Sequence, residues 1–240
     1  MIKKKIDIII QSRIGSKRLP NKVLKKIKNF NITECLIKRL ENTNYVSDLI
    51  FAIPDNKDND ILFKFLKNKK CKIYRGSEKN VLERYYKAAK DNKSDIIIRI
   101  TGDCPFVDRR LVEGLIKKYI LLKPDYLSNI SPPTFPDGLD VEIFSFKALE
   151  FASKNANTLY EKEHVTTKIR NSNKFKIKNI TNKEDLSFIK FSIDTQKDFL
   201  KVKKIFSYFK YDMKFSYKKL LERKNINKLF RKDILVKNYN

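Results

Sequence analysis

Four cationic side chains crowd a short segment that directly follows an apolar run near the N-terminus. Residues 11–22 read QSRIGSKRLPNK, so one glycine and two serines accompany Arg13, Lys17, Arg18 and Lys22. Close backbone N–H groups together with Lys and Arg side chains are what a triphosphate needs. The spacing is not that of a Walker A loop. A basic surface loop is the alternative, because lysine is abundant along the whole chain.

Two aspartates follow apolar runs further along the chain. Asp103 comes directly after Gly102 in RITGDCP, and Asp194 ends the apolar part of FSIDTQKD. Carboxylates at the carboxyl ends of parallel strands would meet at one edge of the sheet and could hold Mg²⁺ there. Helix capping is the alternative: Asp108, or Asp103 less directly, precedes the helix predicted to begin near Arg109, and Asp194 precedes the helix predicted from Lys197. Together with the cationic segment, the pair indicates metal-assisted nucleotidyl transfer.

A third segment, residues 131–140, combines prolines with carboxylates. It holds Asp137, Gly138 and Asp140, and Glu142 follows two residues later. Carboxylates accept hydrogen bonds from sugar hydroxyls, and a glycine lets the backbone approach a ligand. This segment is therefore expected to recognise a sugar. The alternative is a purely structural turn, because Pro-Asp-Gly is also a favourable turn sequence.

The elements that must position these residues alternate between strand and helix. Strands are predicted at residues 5–11, 49–53, 72–74, 96–100, 141–144, 175–180 and 189–193. Helices are predicted at residues 33–41, 60–68, 81–90, 109–122, 146–154 and 160–171, and from residue 197 to the end. This order predicts an α/β fold with a mostly parallel central sheet and helices on both faces. Residues 1–240 are predicted to form a single domain, with the motifs in about 5–205 and a helical C-terminal extension over about 206–240.

The composition argues against several classes of protein. No apolar run reaches the roughly 20 residues that cross a bilayer, and Asp7 interrupts the first apolar run, so a cytoplasmic protein with no membrane partner is expected. Three cysteines without a C-x-x-C and a single histidine, His164, argue against zinc sites and Ser-His-Asp catalysis. Many enzymes of this size form two-fold dimers, so a homodimer is one expectation.

The net charge of +26 has two interpretations. Residues 1–120 hold 29 of the 54 Lys and Arg residues and residues 121–240 hold 25, so neither half is a basic tail. This even distribution favours a generally basic surface that attracts anionic substrates, with no nucleic acid as partner. A basic nucleic-acid-binding protein is the alternative, and its affinity would fall steeply with salt.

Taken in order, these motifs resemble those of the cytidylyltransferases that make CMP-sugars, the group that includes the CMP-sialic acid and CMP-KDO synthetases. The similarity is greatest to the branch associated with spore coat polysaccharide biosynthesis. The segments that carry it are QSRIGSKRLPNKVL from Gln11, RGSEKNVLERYYKAA from Arg75, RITGDCPFVD from Arg99, FPDGLDVEIFSFKALE from Phe135, YEKEHVT from Tyr160 and FSIDTQKD from Phe191. One departure is Asn21, which stands where the family often has glycine.

The resemblance implies a Rossmann-like nucleotidyltransferase fold of the type shared with GT-A glycosyltransferases. It implies a Mg²⁺-dependent enzyme that couples CTP to an anionic sugar, either a sugar acid or a sugar phosphate, and releases pyrophosphate. A glycosyltransferase of the same fold that uses a nucleotide sugar is the alternative.

The resemblance also assigns roles to residues. The implied catalytic residues are Arg13, Lys22 and Asp103, and the implied metal ligands are Asp103 and Asp194. The implied nucleotide-binding residues are Arg13, Gly15, Ser16, Arg18, Lys22, Arg75, Gly76 and Ser77. The implied acceptor-binding residues are Asp137, Gly138, Asp140, Glu142, Glu163 and His164. His164 has a second interpretation, as a helix residue packed against the sheet.

Overall fold

The structure is a computed structural model that describes residues 4–222. The strands of this part are β1 (Ile6–Gln11), β2 (Lys26–Ile27), β3 (Phe30–Asn31), β4 (Asp48–Pro54), β5 (Lys72–Gly76), β6 (Ile96–Thr101), β7 (Tyr126–Ser128), β8 (Glu142–Ser145) and β9 (Ile177–Asn179). The helices are α1 (Ile32–Leu40), α2 (Asp60–Lys67), α3 (Val81–Asp91), α4 (Arg109–Leu122), α5 (Phe146–Asn155), α6 (Leu159–Glu163), α7 (Thr167–Arg170), α8 (Gln196–Tyr208) and α9 (Tyr217–Leu221).

One seven-stranded sheet organises the molecule, with the strand order β5–β4–β1–β6–β8–β7–β9. The first four of these strands are parallel to one another, and β8 pairs antiparallel with both β6 and β7. At the far edge β9 runs parallel to β7, while β2 and β3 form a separate antiparallel pair. The mostly parallel α/β sheet is therefore confirmed.

Hydrophobic clusters cover both faces of the sheet. Along β1, Ile8 and Ile10 belong to the cluster that includes the buried sides of α1, α2, α4 and α8, whereas Ile9 belongs to the cluster with α3 and α5. Because both faces of β1 are buried, its residues 8–10 form an unbroken apolar run rather than an alternating pattern. The prediction of helices on both faces is confirmed.

Two predicted elements differ from the structure. The helix predicted over residues 160–171 is divided into α6 and α7, because Val165 between them has a φ of 49°, outside the helical region. The strand predicted over residues 189–193 is wrong: this segment has a single bridge, from Lys190 to Asp137, and no strand ladder. The strands β2, β3 and β7 were not predicted.

The C-terminal extension is described only in part. Within residues 206–222 the end of α8 and all of α9 are helical, but the non-helical residues 209–216 interrupt the helix predicted from residue 197 onward. The helix predicted beyond this point lies outside the described residues. Across residues 4–222, every helix is too short or too polar to cross a lipid bilayer.

Candidate active site

The cationic loop, residues 11–22, is held at the carboxyl end of β1 by its apolar and backbone groups. Ile14 and Leu19 are buried in the core, and the backbone N–H of Ile14 donates to Oδ1 of buried Asn59 at 2.9 Å. Asn21 adopts a φ of 55°, in the left-handed region that asparagine tolerates better than most residues. The loop backbone is therefore fixed while the side chain of Arg18 is left 66% exposed.

Lys22 brings the two predicted metal ligands together. Its Nζ donates to Asp103 Oδ2 at 2.6 Å and to the carbonyl oxygen of Ile193 at 2.8 Å, and lies 3.4 Å from Asp194 Oδ1. The Lys22 side chain is only 13% exposed. Because β1 and β6 are neighbours, their ends meet at one edge, as the sequence predicted. One cation thus lies between two carboxylates at the carboxyl end of the parallel strands.

A glycine allows this close approach. A Cβ placed on Gly102 would lie 2.7 Å from Ser12 Oγ and 2.9 Å from the backbone oxygen of Gln11. Both distances are shorter than any normal contact of a Cβ atom. Because glycine has no Cβ, the Gly102 N–H can donate to the backbone oxygen of Gln11 at 2.8 Å. This hydrogen bond links the segment that leads into Asp103 to the start of the cationic loop.

Asp194 is surrounded by further cations. Arg18 Nη2 lies 3.1 Å from its Oδ1, and Lys190 Nζ lies 3.0 Å from its Oδ2. Burial would raise the pKa of Asp194, but the hydrogen bond from Lys190 and the charges of Lys22 and Arg18 outweigh burial and lower the pKa. Asp194 is therefore held as a carboxylate at neutral pH.

The helix-cap alternative is confirmed for Asp108 and is wrong for Asp103 and Asp194. The N-cap of α4 is Asp108, whose side chain accepts from the N–H of Arg110. The N-cap of α8 is Thr195, which forms a capping box with Asp198. Asp103 and Asp194 are thus not N-caps, and their carboxylates face the cation of Lys22.

The donor chemistry at this edge fits Mg²⁺ supplied with a nucleotide. Magnesium is usually held by one or two carboxylates, with substrate phosphates and water completing an all-oxygen shell. Asp103 and Asp194 provide two such carboxylates around a point where the structure already accommodates a cation. Among the described residues no group of three or more His, Cys, Asp and Glu side chains could hold a metal ion by itself. Magnesium therefore stays a prediction for this protein.

A second loop, residues 75–79, faces the other end of the cationic loop. Arg75 is fixed by Asp60 at 2.7 Å, and Ser77 Oγ accepts from the N–H of Asn80 at 3.0 Å. Glu78 lies 3.9 Å from Arg13 Nη1, and a Cβ on Gly15 would lie 3.5 Å from Glu78 Oε1. The predicted nucleotide-binding residues of the two loops are therefore adjacent.

A cleft of about 500 Å³ opens beside the 75–79 loop. Besides that loop, it is lined by Asp55, Tyr74, Glu83, Arg84 and Lys87. The predicted residues Arg75, Gly76 and Ser77 all contribute to its wall. Its volume is in the range of small-molecule sites in proteins.

The predicted acceptor residues of the Pro-rich segment lie next to the carboxylate pair. Asp137 accepts from Ser192 Oγ at 2.8 Å. Burial raises the pKa of Asp137, and the charges of Asp194 and Asp103 raise it further. Burial also raises the pKa of Asp140, to about 7, with the charge of Asp137 as the next cause. A turn is present too, since the Leu139 N–H donates to the Pro136 oxygen at 3.0 Å and Gly138 has a φ of 92°.

Glu142 is engaged in a buried ion pair. Arg99 Nη1 donates to both of its carboxylate oxygens, at 3.0 and 3.1 Å, and the other donors of Arg99 contact Gln11 Oε1. The side chains of Arg99 and Glu142 are 14% and 4% exposed. The charge of Glu142 also acts on the buried hydroxyl of Tyr126, as does that of Arg170 in α7. Glu142 therefore has a structural partner whether or not it also contacts an acceptor.

Glu163 and His164 lie at the end of α6. Both are exposed, and the His164 ring is tilted by 45° to the ring of Tyr160, with 4.2 Å between the ring centroids. The interpretation of His164 as a helix residue packed against the sheet is therefore wrong. Among the described residues, no hydrogen bond or ion pair links Glu163 or His164 to the Lys22 cluster. Their acceptor role stays a prediction.

Sequence reasoning missed Arg84 and Lys190. Arg84 is buried in α3, and its Nη1 donates to the Ser77 oxygen at 2.6 Å. Burial lowers the pKa of Arg84, and the charge of nearby Arg13 lowers it further. A signal was present, because Arg84 lies beside Tyr85 among the apolar positions that α3 buries. For Lys190 the sequence offers no such signal, because one more lysine does not stand out in a chain with so many.

A family model described as cytidylyltransferase matches residues 8–235. An uncharacterized protein of Methanocaldococcus jannaschii is 40% identical over 198 residues, which is 81% of this chain and 80% of that protein. The spore coat polysaccharide biosynthesis protein SpsF of Bacillus subtilis is 32% identical over 66% of this chain and 70% of its own length. The structure of a cytidylyltransferase from Leptospira borgpetersenii superposes with a TM-score of 0.89, at 30% identity, over 95% of this chain and 96% of that one.

Proposed function

Because this chain belongs to the cytidylyltransferase family, we propose that it transfers a cytidylyl group from CTP to a sugar acid or a sugar phosphate and releases pyrophosphate. One observation carries the proposal. The cationic loop joins the cleft beside residues 75–79 to the carboxylate pair at the sheet edge, through Arg13 at one end and Lys22 at the other. A nucleotide with its base in the cleft would extend its phosphates along this loop toward the carboxylates.

The proposed reaction needs no covalent enzyme intermediate. An acceptor oxygen attacks the α-phosphorus in line, the bond to the bridging oxygen breaks, and pyrophosphate leaves with that electron pair. Arg13 and Arg18 are exposed enough to contact phosphate oxygens, while Lys22 is fixed by two carboxylates. These residues would orient the triphosphate and offset the charge that develops on the leaving group.

Asp103 and Asp194 would hold the Mg²⁺ that neutralises phosphate oxygens when bound. Asp194 is already ionised at neutral pH through its contacts with Arg18 and Lys190, so it needs no proton loss for this role. Asp137 and Asp140 lie near enough to influence one another and would accept hydrogen bonds from acceptor hydroxyls. The similarity to a spore coat polysaccharide protein supports a product used in surface polysaccharide or glycan synthesis.

The test is pyrophosphate release measured across the four nucleoside triphosphates and a panel of acceptors. The panel holds KDO and N-acetylneuraminic acid as sugar acids, and a set of sugar 1-phosphates. We expect release only with CTP, a divalent cation and one acceptor class. Release of a nucleoside mono- or diphosphate from a finished nucleotide sugar, without use of CTP, would instead support a glycosyltransferase. Pyrophosphate release with no acceptor class would contradict the proposal.

A further inference from the structure

Arg84 has one edge of its guanidinium group without a partner. Its Nη1 donates to the carbonyl oxygen of Ser77, while its Nε is fully buried and has no hydrogen-bond partner. Nη2, beside Nε, makes no hydrogen bond with any described residue. Nε and Nη2 are the two parallel donors that arginine offers to a pair of coplanar acceptors.

Arg75 and Arg170 also have a buried Nε without a partner, but Nη2 of Arg75, unlike that of Arg84, contacts Asn56 and Asp60. Arg39 and Arg99 have partners on all three guanidinium nitrogens. Arg39 uses Nε, Nη1 and Nη2 on three backbone carbonyl oxygens. Arg99 directs its donors to Glu142 and Gln11. A buried donor left unpaired is costly, so its persistence calls for an explanation. Arg84 is 3% exposed and yet lines the cleft beside the 75–79 loop.

The charges of this cleft favour an uncharged occupant. Its lining cations are Arg75, Lys79, Arg84 and Lys87, and its lining carboxylates are Asp55, Glu78 and Glu83. Lys87 is paired with Glu83 at 2.6 Å, and Glu78 also faces Arg13. Positive and negative groups are thus nearly balanced here, which suits a nucleobase better than a phosphate group.

We propose that Arg84 reads the base of the nucleotide by donating from Nε and Nη2 to N3 and O2 of cytosine. Both of these cytosine atoms are acceptors that lie side by side, as the arginine fork requires. In uracil N3 carries a hydrogen, so one donor of the fork would face another donor and stay unpaired. Arg84 would thereby select CTP over UTP. This inference rests on the proposed function, and it names the residue that sets its nucleotide specificity.

The main test compares the ratio of kcat/KM for CTP and UTP between wild type and Arg84→Gln. Losing a charged hydrogen-bond donor pair should reduce this ratio about ten- to a hundred-fold. Arg109→Gln is the matched control, since Arg109 is exposed at the start of α4 and lies outside the cleft. If Arg84 only supports the Ser77 carbonyl, kcat/KM falls equally for both nucleotides and the ratio stays unchanged, which overturns the inference.

A second measurement does not depend on the variant folding. Wild-type enzyme is assayed with 3-deazacytidine triphosphate, in which N3 is replaced by carbon. We expect its KM to exceed that of CTP about ten-fold or more, because one acceptor of the pair is lost. An unchanged KM overturns the inference, as does wild-type enzyme that uses UTP and CTP equally. Pyrophosphate release from CTP by wild type tests the proposed function separately, since that release can occur with any selectivity ratio.

Discussion

Glu142→Gln tests whether the buried ion pair with Arg99 is mainly structural. Glutamine keeps the shape of the side chain but removes its charge, and it leaves the Arg99 guanidinium without a counter-ion. In the native protein Arg99 Nη1 contacts both Glu142 oxygens, and burial of Arg99 is more than offset by the Glu142 charge, which raises the pKa of Arg99. The variant loses that effect, but arginine is not deprotonated in proteins, so Arg99 stays charged and uncompensated.

The magnitude follows from the burial of the pair. Side chains that are 14% and 4% exposed are little screened by solvent. Removing one partner of a buried pair costs about 3–5 kcal/mol, and the hydrogen bonds that glutamine and Gln11 can still make favour the lower end, about 3 kcal/mol. For a chain of this length each kcal/mol lowers Tm by about 2–4 °C, so we expect a fall of about 6–12 °C.

Thermal unfolding followed by circular dichroism measures this shift. The matched control is Glu150→Gln, which breaks the surface pair with Lys154 and should lower Tm by less than about 2 °C. The double variant Arg99→Met with Glu142→Leu replaces both charges by apolar groups and should recover most of the loss. If Glu142→Gln leaves Tm unchanged and raises only the KM of the acceptor, then Glu142 is a binding residue and the structural reasoning is wrong.

Three further outcomes are expected. Asp103→Asn should remove most divalent-cation-dependent pyrophosphate release at an unchanged Tm; near wild-type turnover at saturating Mg²⁺ would contradict its role as metal ligand. Arg18→Ala should weaken CTP binding, measured by calorimetry, about ten-fold or more through loss of a charged contact to phosphate. If only acceptor binding weakens, the cationic loop has been assigned to the wrong substrate. Asp140 has a pKa raised by burial from 3.8 to about 7, so between these pH values the folded state retains a proton that the unfolded chain loses, and stability falls as pH rises. Asp140→Asn should therefore raise Tm more at pH 8 than at pH 5, and an equal effect at both would contradict the shifted pKa.

The parallel part of the fold was predictable because its strands are buried on both faces. The strands β1, β4 and β6 each contain an unbroken run of at least three apolar residues. Such runs are typical of parallel strands that helices cover on both faces. The wrong prediction of a strand at residues 189–193 has a clear cause. Ile189, Phe191 and Ile193 alternate with polar residues and are all buried, yet only Lys190 forms a bridge. Alternation of apolar and polar residues shows only that one side of an extended segment is buried. It does not show that the backbone of the segment forms hydrogen bonds with a neighbouring strand.

The meeting of Asp103 and Asp194 was also predictable in part. Asp103 follows β6, and parallel strands end at one edge, so its position needed no tertiary detail. Asp194 was expected at the same edge from a strand that does not exist. It reaches that edge because the Ile193 N–H donates to the backbone carbonyl oxygen of Asp103 at 3.0 Å and because Lys22 contacts both carboxylates. The two aspartates do lie together, as predicted. The contacts that place Asp194 there join residues far apart in the sequence, and local sequence patterns do not reveal such contacts.

The number of charged residues in the sequence could not identify the arginines of the candidate site. Whether an arginine belongs to a site depends on which groups its donors contact, and the composition does not contain that information. With 54 Lys and Arg residues, one more arginine carries little information. The structure separates them by what their donors contact: Arg39 is satisfied by backbone carbonyls and Arg99 by a buried carboxylate. Arg84 is as deeply buried as Arg39, yet it leaves Nε unpaired beside a cleft. Since an unpaired buried donor is costly, the missing partner of Arg84 is more informative than its charge.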